Sequence, residues 1–383
     1  MTIAFIPNET ASGETRIAAS VDVVKRLCSA GFTVQVESGA GASAHLSDAD
    51  LAAVGAEVVG DGAAAWSGAD LVLKVAPPSV EEAGRLGAGS VLVSHIYATS
   101  CPEVVDALLE RKVTTLAMEL VPRISRAQSM DSLSSQATLA GYKAVLLGAT
   151  NLGKLCPLMM TAAGTTAPAK VVVFGAGVAG LQAIATAKRL GCVVEATDIR
   201  LAVKEQVESL GAKFIDVPGA EDMEDEGGYA KEADEDFLRR QREEVAKRVA
   251  EADIVITTAL IPGRPAPKLV SGDMVRSMRA GSVIVDIAVE TGGNCELSKC
   301  GEIIEAEGVT IVGTPNLPAT LPVHASELYA KNIYNLLKPF ISEEGALELD
   351  AEDEVIAGCT LTRDGELIHE RTRALLEKEG ATS

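Results

Sequence analysis

Residues 171–180 read Val-Val-Val-Phe-Gly-Ala-Gly-Val-Ala-Gly. Three glycines spaced G-x-G-x-x-G follow a β-branched run and lead into an apolar stretch at helical spacing. That order constrains the fold more than any other feature. The strand turns tightly at Gly175, the backbone at Gly177 admits a pyrophosphate, and Gly180 lets the next helix pack on the strand. Such a unit belongs in an open parallel sheet covered by helices on both faces. The helix N-terminus, with Val178 in its first turn, offers unpaired N–H groups to phosphate. The next strand, 193–197, ends in Asp198, 18 residues beyond Gly180. A carboxylate there accepts from the adenosine ribose 2′-hydroxyl and repels a 2′-phosphate, which favours NAD(H) over NADP(H). Arg200 pulls the other way, because an arginine can hold that phosphate. The other reading is a sheet of this type with an empty crevice.

The same rhythm runs through most of the chain. Strand-like runs lie at 3–6, 32–36, 71–75, 90–96 and 114–118, with helical patterns at 20–29, 79–86 and 102–111. A second series lies at 171–174, 193–197, 213–217, 253–258, 282–287 and 309–313. We therefore expect an α/β protein with two Rossmann-like, doubly wound parallel-sheet domains and a cleft between them. Residues 134–148 read as a long connecting helix. After Pro322 the pattern predicts a helix over 327–337, then an acidic loop, then a hairpin. One arm of that hairpin would hold Val355, Ile356 and 360–362, and Asp364-Gly365 would turn it. The tail is expected to return to the first domain. The domains would then be 1–135 with 325–383, and 136–324 with the linking helix.

Charge and cysteine usage exclude several functions. The 383 residues carry 34 basic and 54 acidic side chains, a formal charge of −20. That balance argues against binding nucleic acid or anionic lipid, both of which need basic surface. Uncharged stretches at 155–169, 171–187 and 308–326 are short, or broken by Gly, Thr or Pro, so no membrane span is expected. The N-terminus shows no leader pattern and reads as a first strand. Seven cysteines occur without a Cys-x-x-Cys pair. They read as reduced thiols, and no metal site is expected. Residues 221–236 hold nine acidic side chains around Gly227, Gly228 and Tyr229. They are either a solvated loop or a mobile one whose tyrosine makes a contact.

Two further groups carry polar chemistry. Residues 122–136 concentrate Arg123, Ile124, Ser125, Arg126, Gln128, Asp131 and Ser134 just before a helix. Asp131 or Ser132 suits a helix cap. Alternatively the loop orients a nicotinamide, with Gln128 and Ser134 on the carboxamide or ribose and Arg123 pairing with Asp131. Lys74 ends one strand and His95 another. They are either an acid/base pair for a carbonyl or amine, or a surface lysine and a buried, partnered histidine.

Residues 123–136, 160–165, 204–211, 227–231 and 257–267, together with the glycine loop, resemble the NAD(H)-binding components of proton-translocating nicotinamide nucleotide transhydrogenases. The resemblance spans essentially the whole chain. It implies a homodimeric component outside the membrane that presents NADH to NADP(H) on a partner component. A transmembrane component would couple the transfer to proton movement. It implies a cytoplasmic protein, peripheral on the inner face of the cytoplasmic membrane through its partners. It places Arg123, Ile124, Ser125, Arg126, Gln128, Asp131 and Ser134 at the nicotinamide end. Gly175, Gly177, Val178 and Gly180 would lie under the pyrophosphate, Asp198, Ile199 and Arg200 at the adenosine ribose, and Leu260 near the adenine. Gly228 and Tyr229 would lie on a closing loop.

The architecture is also similar to that of alanine dehydrogenases. Lys74, His95 and Arg16 match the lysine, histidine and carboxylate-binding arginine of those enzymes. The 123–134 loop speaks against that activity, as does 288–294, which offers no Asp-Gln pair. Lys74 and His95 then read as ancestry without the original task. A nucleotide sensor without turnover is a third class; an added DNA-binding or partner domain would support it, and none is visible in the sequence.

Overall fold

The computed structural model describes residues 2–60, 62–216, 235–261 and 264–380. The chain divides into two compact units, Met1–Gln136 with Ala319–Ser383, and Ala137–Pro318.

The first unit is built on an eight-stranded sheet. Its parallel strands are β1 (Ile3–Ile6), β2 (Thr33–Glu37), β3 (Glu57–Val59), β4 (Leu71–Leu73), β5 (Val91–Ser94) and β6 (Thr114–Ala117). They lie in the order β3-β2-β1-β4-β5-β6, so the winding direction reverses between β1 and β4. Loops leaving the carboxyl ends of strands at such a reversal form the natural binding crevice of an open α/β sheet. The C-terminal strand β16 (Thr360–Arg363) pairs antiparallel with β6, and β17 (Glu366–Leu367) pairs antiparallel with β16. Alternation decides which side chains enter which core. Ala4, Ile6, Leu71 and Leu73 join one buried cluster, and Phe5, Val72 and Trp66 join the one on the other face. Fully burying each Leu or Ile stabilises by about 1.5–3 kcal/mol.

The second unit repeats the winding. Its strands are β9 (Lys170–Phe174), β10 (Val193–Thr197), β11 (Lys213–Phe214), β12 (Ile254–Thr257), β13 (Val283–Asp286), β14 (Ile303–Ala306) and β15 (Val309–Val312). The order is β11-β10-β9-β12-β13-β15-β14, parallel except for β14, and the reversal falls between β9 and β12. A two-stranded hairpin, β7 (Met159–Thr161) with β8 (Gly164–Thr166), stands apart from the sheet with all six residues exposed. The long helix Ser132–Asn151 carries the chain out of the first unit. No helix among the described residues is long and apolar enough to cross a membrane.

One element departs from the sequence reading. Val355 and Ile356 are not a strand arm but the start of the helix Glu354–Cys359. Asp353 accepts from both of their N–H groups, at 2.9 and 3.2 Å, and this cap outweighs their β propensity. Both side chains bury in the first core instead.

Candidate nucleotide site

The glycine loop leaves β9 at the reversal point of the second sheet. Gly175 has φ +90°, and a Cβ there would stand 2.6 Å from Thr258 Oγ1. Thr258 donates to the carbonyls of Phe174 and Gly175, so the end of β12 pins the turn. A Cβ on Gly180 would fall 1.9 Å from the Gly175 carbonyl oxygen, which makes glycine obligatory there. Gly177 differs: the nearest atom to a Cβ would be an Arg200 nitrogen at 3.9 Å. It caps the helix Val178–Arg189 without a side-chain hydrogen bond, and Val178 is exposed. An open approach over Gly177 and a helix start with no side-chain cap fit a pyrophosphate.

Asp198 lies just beyond β10. Its Oδ2 accepts from Ala176 N–H at 2.7 Å, and its carboxylate is bonded by Arg200. Burial raises this carboxyl, but the bonds from Arg200 and Ala176 outweigh it and hold the group below the usual carboxylate range. An ionised, largely buried carboxylate beside the glycine loop fits a ribose diol. Ile199 is half-buried next to it.

Leu260 follows β12 and is 49% exposed. Its loop hangs on two buried residues that the sequence reading passed over. Asn294 bonds both backbone groups of Ala259 and the Pro267 carbonyl, at 2.9–3.0 Å. Asp286 fixes Asn294 in turn, accepting from Asn294 N–H, Cys295 N–H, Ala288 N–H and the hydroxyls of Thr257 and Ser298. Gly228 and Tyr229 lie outside the described residues.

In the first unit, Ser125–Met130 form a 3₁₀ turn ahead of the helix Ser132–Asn151. Arg123, Ser125, Arg126 and Gln128 are at least partly exposed, while Ile124 packs against the first core. Asp131 caps the helix, accepting from Ser134 N–H at 2.8 Å and Ser134 Oγ at 2.6 Å. Asp131, directly ahead of Ser132, thus takes the helix-cap role that the sequence also offered it. Arg126 pairs with Asp353 at 3.0 Å.

Lys74 and His95 do not form a pair. Lys74 lies 5.9 Å over the Trp66 ring, whereas His95 packs against Tyr329 of the opposite core. Lys74 is buried between Glu9 at 3.2 Å and Glu82 at 3.7 Å. Burial raises the Glu9 carboxyl against the pull of Lys74. Arg16 is likewise closed off: Glu14 accepts from Nε at 2.7 Å and from a terminal nitrogen at 2.6 Å, and Gln136 takes the other. His95 is fully buried, and desolvation lowers its pKa to about 4. Nothing in the local sequence marked Glu9, Glu14 and Glu82 as the partners of these cations.

The chain matches the N-terminal domain of alanine dehydrogenase/PNT over residues 5–140 and the C-terminal domain over 144–370. It belongs to the alanine dehydrogenase/PNT family. Within that family it is 52% identical over 372 residues to the first part of NAD(P) transhydrogenase subunit alpha of Rhodospirillum rubrum, across 95% of this chain and 97% of that one. The crystal structure of a Sinorhizobium meliloti transhydrogenase superposes with a TM-score of 0.87 at 48% identity, covering 96% of this chain and 100% of that one. Alanine dehydrogenase of Mycobacterium tuberculosis is 31% identical over 96% of this chain and 94% of its own. Two doubly wound sheets are thus the architecture of the alanine dehydrogenase/PNT family, and this member is more similar to the transhydrogenase subunit than to that dehydrogenase.

Proposed function

We propose that the chain is the NAD(H)-binding component of a proton-translocating nicotinamide nucleotide transhydrogenase. It presents NADH for direct hydride transfer to NADP⁺ held on a partner component, and a membrane component couples that transfer to proton movement. One observation carries the reading over amino-acid oxidation. The charged groups at the reversal point of the first sheet are occupied by the chain's own carboxylates: Lys74 by Glu9 and Glu82, Arg16 by Glu14. An amino-acid dehydrogenase needs a carboxylate anchor and a proton acceptor there, and those partners occupy both. The similarity to transhydrogenase alpha subunits supports the same side.

The bound nucleotide supplies the hydride. The chain's residues supply position. Gly175, Gly177, Gly180 and Val178 hold the pyrophosphate, Asp198, Ile199 and Arg200 the adenosine ribose, and Leu260 the adenine side. Arg123, Ile124, Ser125, Arg126, Gln128, Asp131 and Ser134 orient the nicotinamide end. Ring-to-ring transfer exchanges no proton with the ring carbons, so orientation at about 3–3.5 Å and exclusion of water are the catalytic contribution. The working form is a homodimer, peripheral on the inner face of the cytoplasmic membrane through its partners. The exposed Met159–Thr161 and Gly164–Thr166 hairpin supports a subunit contact, since an isolated hairpin is marginal in water.

An absorbance assay tests the proposal: the purified chain, NAD⁺ and a panel of L-amino acids including alanine, with NADH binding followed by fluorescence. We expect binding without turnover, and transfer once the NADP(H)-binding component is added. NADH formation from any amino acid overturns the reading.

A further inference from the structure

Three serines mark the turn that carries Gln128, Asp131 and Ser134, and each is held from another part of the first unit. The Ser129 carbonyl accepts from Asn332 Nδ2 at 2.9 Å and Asn335 Nδ2 at 3.1 Å. Ser135 Oγ donates to Asn332 Oδ1 at 2.7 Å. Ser132 Oγ bonds His95 Nε2 at 2.9 Å. The direction of that last bond is fixed: His95 Nδ1 faces the Val75 carbonyl at 3.0 Å and must donate to it, so Nε2 accepts from the serine. Asn332 is 7% exposed, and both ends of its amide are committed to this turn. Tyr329, three residues earlier on the helix Pro322–Leu337, presents the same face and packs on His95 at 5.1 Å between ring centroids.

A buried amide that bridges Ser129 in the 3₁₀ turn and Ser135 in the helix after it costs desolvation unless both its bonds are made. It also fixes the span between those two serines. Asp131 sits inside that span and Gln128 one residue before it. We infer that Asn332 is a positioning residue for hydride transfer. By bridging Ser129 and Ser135 it holds Gln128, Asp131 and Ser134 in the register that orients the nicotinamide. This rests on the transhydrogenase reading above.

The test uses the full chain with NADH and the NADP⁺-loaded partner component. For Asn332→Leu, which is close in volume and cannot bond, we expect the transfer rate at saturating NADH to fall about 10–100-fold. The NADH dissociation constant should stay within about threefold, because the glycine loop and Asp198 carry affinity. A purely structural role would lower the melting temperature and leave the rate of the folded enzyme alone, and that result overturns the inference. So does an NADH affinity loss as large as the rate loss. If Asn332→Leu does not fold, Ser135→Ala and Asn335→Ala each remove one tie nearer the surface. Both should slow transfer several-fold at unchanged affinity, and unchanged rates in both overturn the inference. A wild-type chain that binds NADH but passes no hydride to the partner refutes the functional reading itself.

Discussion

Arg200 wraps Asp198. The Arg200 N–H and Nε donate to Oδ1 at 2.9 and 3.0 Å, a terminal nitrogen donates to Oδ2 at 2.9 Å, and Ala176 N–H completes Oδ2 at 2.7 Å. A carboxylate has about four lone-pair positions, and all are used. In the proposed function a ribose hydroxyl gains an acceptor only when an Arg200 bond yields, so this pair is expected to set both affinity and choice of nucleotide.

Asp198→Asn should therefore weaken NADH binding about 10–100-fold, the worth of a hydrogen bond to a charged group, and narrow the preference over NADPH. Fluorescence titration with both nucleotides measures it. An unchanged NADH/NADPH ratio would sink the assignment of Asp198 to the ribose.

The glycines separate fold from ligand. Gly180→Ala drives a methyl into the Gly175 carbonyl and should lower the melting temperature and abolish NADH binding together. Gly177→Ala meets nothing closer than 3.9 Å, so its melting temperature should hold while NADH affinity falls. Normal affinity in Gly177→Ala would place the pyrophosphate elsewhere.

Gln128→Ala removes an exposed amide from the turn proposed to orient the nicotinamide. Ring-to-ring transfer should slow about 10–100-fold with much smaller loss of NADH affinity. Equal losses in both would show that Gln128 contributes binding rather than orientation.

Lys74→Met leaves Glu9 and Glu82 buried without their cation. Stripping one partner from a buried ionic group costs about 3–5 kcal/mol, which a denaturation midpoint will show. NADH affinity should be unchanged. A variant of normal stability that no longer transfers hydride would make Lys74 catalytic after all.

Acid should weaken the first unit through His95. Its folded pKa, about 4, lies below the ordinary 6.5, so the unfolded chain binds the proton first as pH falls. That contribution is complete above pH 6.5, shrinks between 6.5 and 4, and amounts to about 3 kcal/mol in all. Glu9 and Glu119, two buried carboxyls raised from 4.5, act in the opposite sense as pH rises above 4.5. His95→Gln should flatten the melting temperature between pH 6.5 and 4, and an unaltered slope there would refute the assignment.

The features legible in the sequence were those written locally. The glycine loop and Asp198 declare themselves because the turn, the helix start and the next strand end are consecutive in the chain. The winding of both sheets follows from alternating apolar runs. Short edge strands escaped: Glu57–Val59 and Ile303–Ala306 are part-exposed and bury too little to leave a run. Val355 and Ile356 misled because one aspartate cap decides their conformation. The alternative of Lys74 and Arg16 as reagents stayed open because nothing local ties them to Glu9, Glu14 and Glu82, the last of which announces itself only as part of a Ser79 capping box. Asn332 was invisible, since a buried amide has no local pattern.

The tie between Asn332 and Ser129 joins residues 203 positions apart. A ribosome adding roughly 5–20 residues per second makes Ser129 about ten seconds or more before Asn332. Between those moments the whole glycine-loop unit emerges, with every residue it needs to wind its own sheet. In the proposed function a nascent chain can thus acquire its nucleotide grip before the turn assigned to the nicotinamide has its brace. In that proposed function, residues made after the glycine-loop unit are the ones that turn a holder of NADH into a donor.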